Sequence, residues 1–197
     1  MDEKRFRQIL LKCLKSIDKG YKIGQEIPVP YKHIYLRENK RTKLEIWCFK
    51  QDIAIYKILF DNTVSKKVAE IIPSDKSKIQ IELERGKAKK EKNIGLPYVI
   101  IETKKKQPIT HEILAYSEKA KMIKTIFPYC KFVFCIYGEI EPRTYRHGIG
   151  FDRIVSIKNT QKNSQDMRDF TKQITGLIRE AKKDLKKISK SGERSKG

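Results

Sequence analysis

The chain has 197 residues, 39% of them hydrophobic, with 45 Lys and Arg against 24 Asp and Glu and a formal net charge of +21. That length supports one sizeable core and is short for two generous domains. A surface this positive attracts polyanions, nucleic acid before any small metabolite, and the short apolar runs and the charged start Met1-Asp2-Glu3-Lys4-Arg5 predict a cytoplasmic protein without membrane spans.

In chain order, Phe6, Leu10, Cys13, Leu14 and Ile17 recur at steps of three and four before Lys19-Gly20, which predicts an amphipathic helix over 3–19 that packs on a sheet. Pro28 and Pro30 then break the chain, and Leu44–Phe49 followed by Asp52–Tyr56 reads as one or two strands joined near Lys50-Gln51. Two alternating stretches, Val68–Ile72 and Lys78–Glu84, flank Pro73-Ser74-Asp75 and predict a hairpin, followed by a basic, mobile arm over Lys87–Lys92.

A strand over 97–104 comes next, and then a helix over Thr110–Phe127, capped by Thr110 and ended by Pro128. Its apolar face is Ile113, Tyr116, Ala120, Ile123 and Phe127. The almost wholly apolar run Lys131–Tyr137, bounded by Gly138, has the composition of a strand covered on both faces. Strand, helix and strand here predict a βαβ unit with parallel pairing. A loop over Glu141–Gly148, a strand near Arg153–Ile157 and a long helix from about residue 163 to 188 complete the pattern, and the apolar-free stretch 189–197 predicts a disordered basic tail. Cys13, Cys48, Cys130 and Cys135 form no CxxC pair, and three lie in apolar stretches, which predicts reduced core thiols without a zinc site.

The feature richest in chemistry is Glu102-Thr103-Lys104, which ends the apolar run Tyr98–Ile101. Side chains of a strand alternate, so the carboxylate and the ammonium two residues later point to the same side. Phosphodiester hydrolysis needs an activated water and charge neutralisation at phosphorus, and divalent ions held by carboxylates supply most of both. Mg²⁺ keeps several waters and takes one or two protein carboxylates. Asp52 and Glu102 on neighbouring strands, with the Thr103 carbonyl, form such a donor set, and Lys104 is placed to orient or deprotonate the water or to offset phosphate charge.

At these residues the chain resembles the PD-(D/E)XK nuclease superfamily, whose core is a helix, a run of strands, a helix and a further strand. The match runs through Asp52–Tyr56, Val99–Lys104, the helix over Thr110–Phe127 and the strand Lys131–Gly138, within residues 3–138. Gln51 stands where the family often has proline. The resemblance implies an α/β restriction-endonuclease-like core, a mixed sheet flanked by helices, with an insertion at 57–95 and a long C-terminal helix outside it, all in one domain over 1–188. It implies Mg²⁺-dependent DNA cleavage with Asp52, Glu102 and Lys104 as catalytic residues. Asp75, nearer to Glu102 in sequence and close behind Pro73, is the rival to Asp52 as metal ligand.

A compact chain with room for a recognition loop and none for a helicase motor suits a type II restriction endonuclease, which implies a homodimer on palindromic DNA. Arg143, Tyr145, Arg146 and His147 interleave bases with an aromatic and are the candidate DNA-reading residues, with Lys89 and Lys90 as phosphate contacts. Two alternatives stand beside this reading. One is a non-catalytic nucleic-acid-binding module on the same scaffold, and the other is a repair or junction-resolving nuclease.

Overall fold

The run Tyr98–Ile101 lies in the central strand of a five-stranded mixed sheet in the computed structural model, which describes residues 1–17, 20–31, 35–39, 41–58, 71–75, 78–83 and 95–194. Twelve elements are described: α1 (Glu3–Leu14), β1 (Lys22–Pro30), β2 (Tyr35–Asn39), β3 (Arg41–Ile58), β4 (Ile71–Asp75), β5 (Lys78–Leu83), β6 (Gly95–Lys104), α2 (Thr110–Ile126), β7 (Lys131–Tyr137), α3 (Pro142–His147), β8 (Arg153–Ile157) and α4 (Gln165–Arg194). The sheet runs β1-β3-β6-β7-β8, antiparallel as far as β6 and parallel from β6 to β8. Residues 98–103 of β6 and 132–136 of β7 are all buried, as apolar runs covered on both faces require.

Strand β3 is continuous through Lys50-Gln51. Its first part, 42–47, pairs with β2 and with β5 of the expected β4–β5 hairpin, and its later part pairs with β1 and β6. Strand β1 includes Pro28 and Pro30, where the sequence predicted a break. Among the described residues β1 has β3 as its one pairing strand, and an edge strand tolerates residues without an N–H donor. The arm Lys87–Lys92 lies outside the described residues.

Helix α1 buries Phe6, Leu10 and Leu14, and the Asp2 carboxylate caps it by accepting from the Arg5 N–H at 2.7 Å. It ends at Leu14 rather than 19, because the Ser16 hydroxyl and the Ile17 N–H turn back onto the carbonyls of Cys13 and Leu14. Helix α4 buries Met167, Phe170, Ile174, Leu177, Ile178 and Ala181 and packs on β6, β7, β8 and α1. Each of its large apolar side chains contributes roughly 1.5–3 kcal/mol. The helix continues to Arg194, through residues read from sequence as a disordered tail; Lys, Arg and Glu propagate a helix well even without an apolar face.

Helices α2 and α3 touch each other. In α2 the N-cap is Ile109 rather than Thr110, and its N–H donates to the Glu112 carboxylate at 3.1 Å. Residues 142–147 form α3 where a loop was expected, since Pro142 at the first helical position offers a preset φ and lacks an N–H that would go unpaired there anyway. The four cysteines are free thiols, three of them buried. Among the described residues no helix is long and apolar enough to cross a membrane.

The turn between α3 and β8 is pinned to α2 by Gly150, whose N–H donates to the Ser117 hydroxyl at 2.8 Å while its carbonyl accepts from Lys124 at 2.9 Å. A Cβ at Gly150 would lie 2.2 Å from the Ser117 carbonyl oxygen, a backbone atom that cannot swing aside. Gly150→Ala is therefore expected to lose about 2 kcal/mol and lower Tm by roughly 4–8 °C. Calorimetry of the variant beside the wild type checks this, and an unchanged Tm would refute the packing assignment.

Candidate active site

Antiparallel pairing of β3 with β6 sets Ile53 opposite Ile101, so Asp52 and Glu102 follow on the two adjacent strands. The Asp52 carboxylate is held on three sides. Its Oδ2 accepts from the Thr103 N–H at 2.9 Å and the Thr103 hydroxyl at 2.7 Å, and its Oδ1 accepts from the Arg7 guanidinium at 2.7 Å. Arg7 comes from α1 and also lies 3.8 Å from Glu26, which in turn pairs with Lys50 at 2.9 Å. Glu26 faces Asp52 across β1 and β3 with φ of 55°, a left-handed backbone unusual for a non-glycine residue.

Glu102 is 3% exposed and ion-paired with Lys119 of α2. The Lys119 ammonium also lies 3.4 Å from the Lys50 carbonyl and within 5.5 Å of the Phe49 and Tyr116 ring centroids. Burial pushes the Glu102 carboxyl up to about 7, opposed by the Lys119 charge and reinforced by the Asp52 charge. The two acids are thus close enough to feel one another, and the positive charge around Glu102 falls short of what its burial demands.

Lys104 sits with its ammonium 4.7 Å from the Tyr116 ring centroid and 3.5 Å from the Glu112 carboxylate. Burial pulls its pKa down, but the Tyr116 hydroxyl, Glu3 and Glu112 together outweigh burial, so its pKa lies above the ordinary lysine value. Glu112, Tyr116 and Lys119 recur at steps of four and three along α2 and so share one helix face, laid along Glu102 and Lys104.

The fold therefore brings together Asp52, Glu102, Thr103 and Lys104. Asp75 lies on β4, separated from β6 by β5 and β3, whereas Asp52 lies on the strand next to Glu102. Thr144 of α3 is tied to the loop after β6 by a hydrogen bond from the Gln107 amide, and the Glu141 N–H donates to the other end of that side chain. Arg143 pairs with Glu141 at 2.8 Å, while Tyr145 is 57% exposed and Arg146 is exposed. Lys89 and Lys90 lie outside the described residues.

Sequence reasoning missed Arg7 and Lys119, and it counted Tyr116 among the apolar residues of α2. The polar stripe Glu112, Tyr116 and Lys119 was the available signal for this face. By sequence alone Glu112 suits a solvated helix face or a partner of Lys104, and in the fold it lies 3.5 Å from the Lys104 ammonium while its side chain remains 42% exposed.

Two carboxylates and a main-chain carbonyl are hard oxygen donors of the kind Mg²⁺ accepts with waters completing its shell. Among the described residues no group of three or more His, Cys, Asp and Glu side chains that could hold a metal ion converges. Both hydrogen bonds from Thr103 fall on Asp52 Oδ2 and the Arg7 guanidinium is paired with Oδ1, so a cation at this carboxylate would have to share an oxygen with one of them. Compared with known proteins, the chain matches no family model and no curated sequence.

Because Glu102 holds its proton more tightly when folded than its ordinary value of 4.5, the native state binds more protons between about 4.5 and about 7. Stability is then expected to fall as pH rises through that interval and to stay lower by about 3 kcal/mol above it. Urea unfolding from about pH 4.5 to about pH 8 should show this slope in the wild type and a flatter one in Glu102→Gln. Equal slopes in both would remove Glu102 as its source.

Proposed function

We propose that the chain is a Mg²⁺-dependent endonuclease of the PD-(D/E)XK, restriction-endonuclease-like class that hydrolyses DNA phosphodiester bonds. The observation that carries the reading is the meeting of Asp52 and Glu102 on adjacent strands with Lys104 two residues further along β6. The order of β6, α2 and the parallel strand β7 supports it, as does the net charge of +21.

In this reading Asp52, Glu102 and the Thr103 carbonyl hold the metal, which when bound polarises a phosphoryl oxygen and lowers the pKa of a coordinated water. The Thr103 hydroxyl and N–H on Oδ2, with Arg7 on Oδ1, fix the orientation of the Asp52 carboxylate. Lys104, with its raised pKa, remains an ammonium at neutral pH. It therefore donates to the attacking water or to a phosphate oxygen and does not act as a base, while Tyr116 and Glu112 orient it. Arg143, Tyr145, Arg146 and His147 on or beside α3 are the DNA-reading groups. Type II restriction by a homodimer is the biological role that this reading favours.

A second reading, a nucleic-acid-binding module without catalysis, is favoured by one specific observation. Arg7 and Lys119 each ion-pair with one of the two acids, in the manner of structural ion pairs.

Supercoiled plasmid incubated with increasing Mg²⁺ separates the two. The nuclease nicks or linearises it, and Glu102→Ala or Lys104→Ala lowers the rate by roughly 100-fold or more while the protein stays folded and DNA-bound. Cleavage at the wild-type rate in both variants would exclude this site, and plasmid retarded but intact at every Mg²⁺ concentration would establish the binding module.

A further inference from the structure

The second half of α4 carries a second charged surface, distinct from the acids and lysines at the end of β6. Arg179, Lys182, Lys183, Lys186 and Lys187 line one groove, and all five are exposed. Their steps of three, one, three and one place them on one face of the helix. Several of these cations stand three or four residues apart, where like charges repel. Complementing the negative end of the helix dipole accounts for cations in the last turn but not for a face of them two turns long.

Two contacts locate this face. The Lys182 ammonium lies 4.6 Å from the Tyr21 ring centroid, with Lys57 on the same ring at 5.7 Å, and Tyr21 packs edge-on against Tyr98 near the start of β6. Lys131, at the start of β7, pairs with Asp184 at 2.8 Å. The basic face therefore overlies the beginnings of β6 and β7, whereas Glu102 and Lys104 lie at the finish of β6, roughly 13 Å further along that strand.

We propose that this face is a second, sequence-independent contact for the phosphodiester backbone of duplex DNA, separate from the candidate active site. Arg179 to Lys187 spans about 12 Å of helix axis, a length over which a duplex presents about seven phosphates. Lys187 lies 3.6 Å from Asp184, which leaves the face net positive, and cations without a bidentate base-reading geometry contact phosphates and position without specifying. The neighbouring apolar residues Leu177, Ile178 and Ala181 are buried, and Ile188, 42% exposed, is a single apolar side chain beside five cations, far less than the apolar side that a lipid surface needs. The proposal does not depend on the chain's being a nuclease, since the ridge is set apart from Asp52 and Glu102.

The test is binding of a fluorescent duplex of about 20 base pairs to the full chain in metal-free buffer across a salt titration. The variant replaces Arg179, Lys183, Lys186 and Lys187 by Gln and leaves Lys182 on Tyr21. It is expected to bind roughly tenfold more weakly at low salt, and the slope of log K against log salt should shrink by about 0.9 for each phosphate that the variant no longer neutralises. Single Lys183→Glu and Lys187→Glu variants carry the same test in smaller steps if the fourfold variant proves unstable. Wild-type affinity and slope in the folded variants would overturn the proposal. So would loss of binding to vesicles of anionic phospholipid with duplex binding untouched. Because no metal is present, either result is independent of whether the wild type cuts plasmid.

Discussion

A carboxylate taken out of water at the end of a buried strand must be met by positive charge or by a proton, and Glu102 is in that position. Lys119 reaches it from α2, yet the carboxyl remains far easier to protonate than one in water. The rest of the local structure is arranged around this shortfall. Asp52 adds a second negative charge nearby and is itself held by Arg7 and Thr103, so the two acids persist as neighbours only because α1 and α2 each deliver a cation to the sheet between them.

Helix α2 consequently has two faces with different work. Ile113, Ala120 and Ile123 are buried and give the helix its place on the sheet. Glu112, Tyr116 and Lys119 hold the charged groups of β6, and Glu112 also accepts the N–H of Ile109 at the helix start. One carboxylate thus fixes both where α2 begins and where Lys104 stands. Further along, Ser117 fastens the turn before β8, so β6 and β8 are referred to the same helix.

Much of this was legible in the chain. Continuous apolar runs such as Lys131–Tyr137 can be satisfied only by a strand covered on both faces, and the three-and-four spacing of Phe6, Leu10 and Leu14 or of Met167, Phe170 and Ile174 marks helices on a sheet. The meeting of Asp52 with Glu102 followed from placing both on neighbouring strands. What could not be read was partnership across the fold: Arg7 lies 45 residues from Asp52 and Lys119 lies 17 from Glu102, and in so lysine-rich a chain no local pattern selects one cation over another. Punctuation residues misled in the opposite sense. Pro28 and Pro30 signal a break but are harmless on an edge strand, and Pro142 signals a loop but suits the first turn of a helix.

Strand β3 carries Asp52 and is paired with four others, β2 and β5 along its first part and β1 and β6 along its later part. Sliding it by a single residue would turn Asp52 to the opposite side of the sheet, and would require all four ladders to let go at once. The acid's address is in effect written in quadruplicate, so local loosening of the β4–β5 hairpin cannot misplace it while β1 and β6 still grip the same strand.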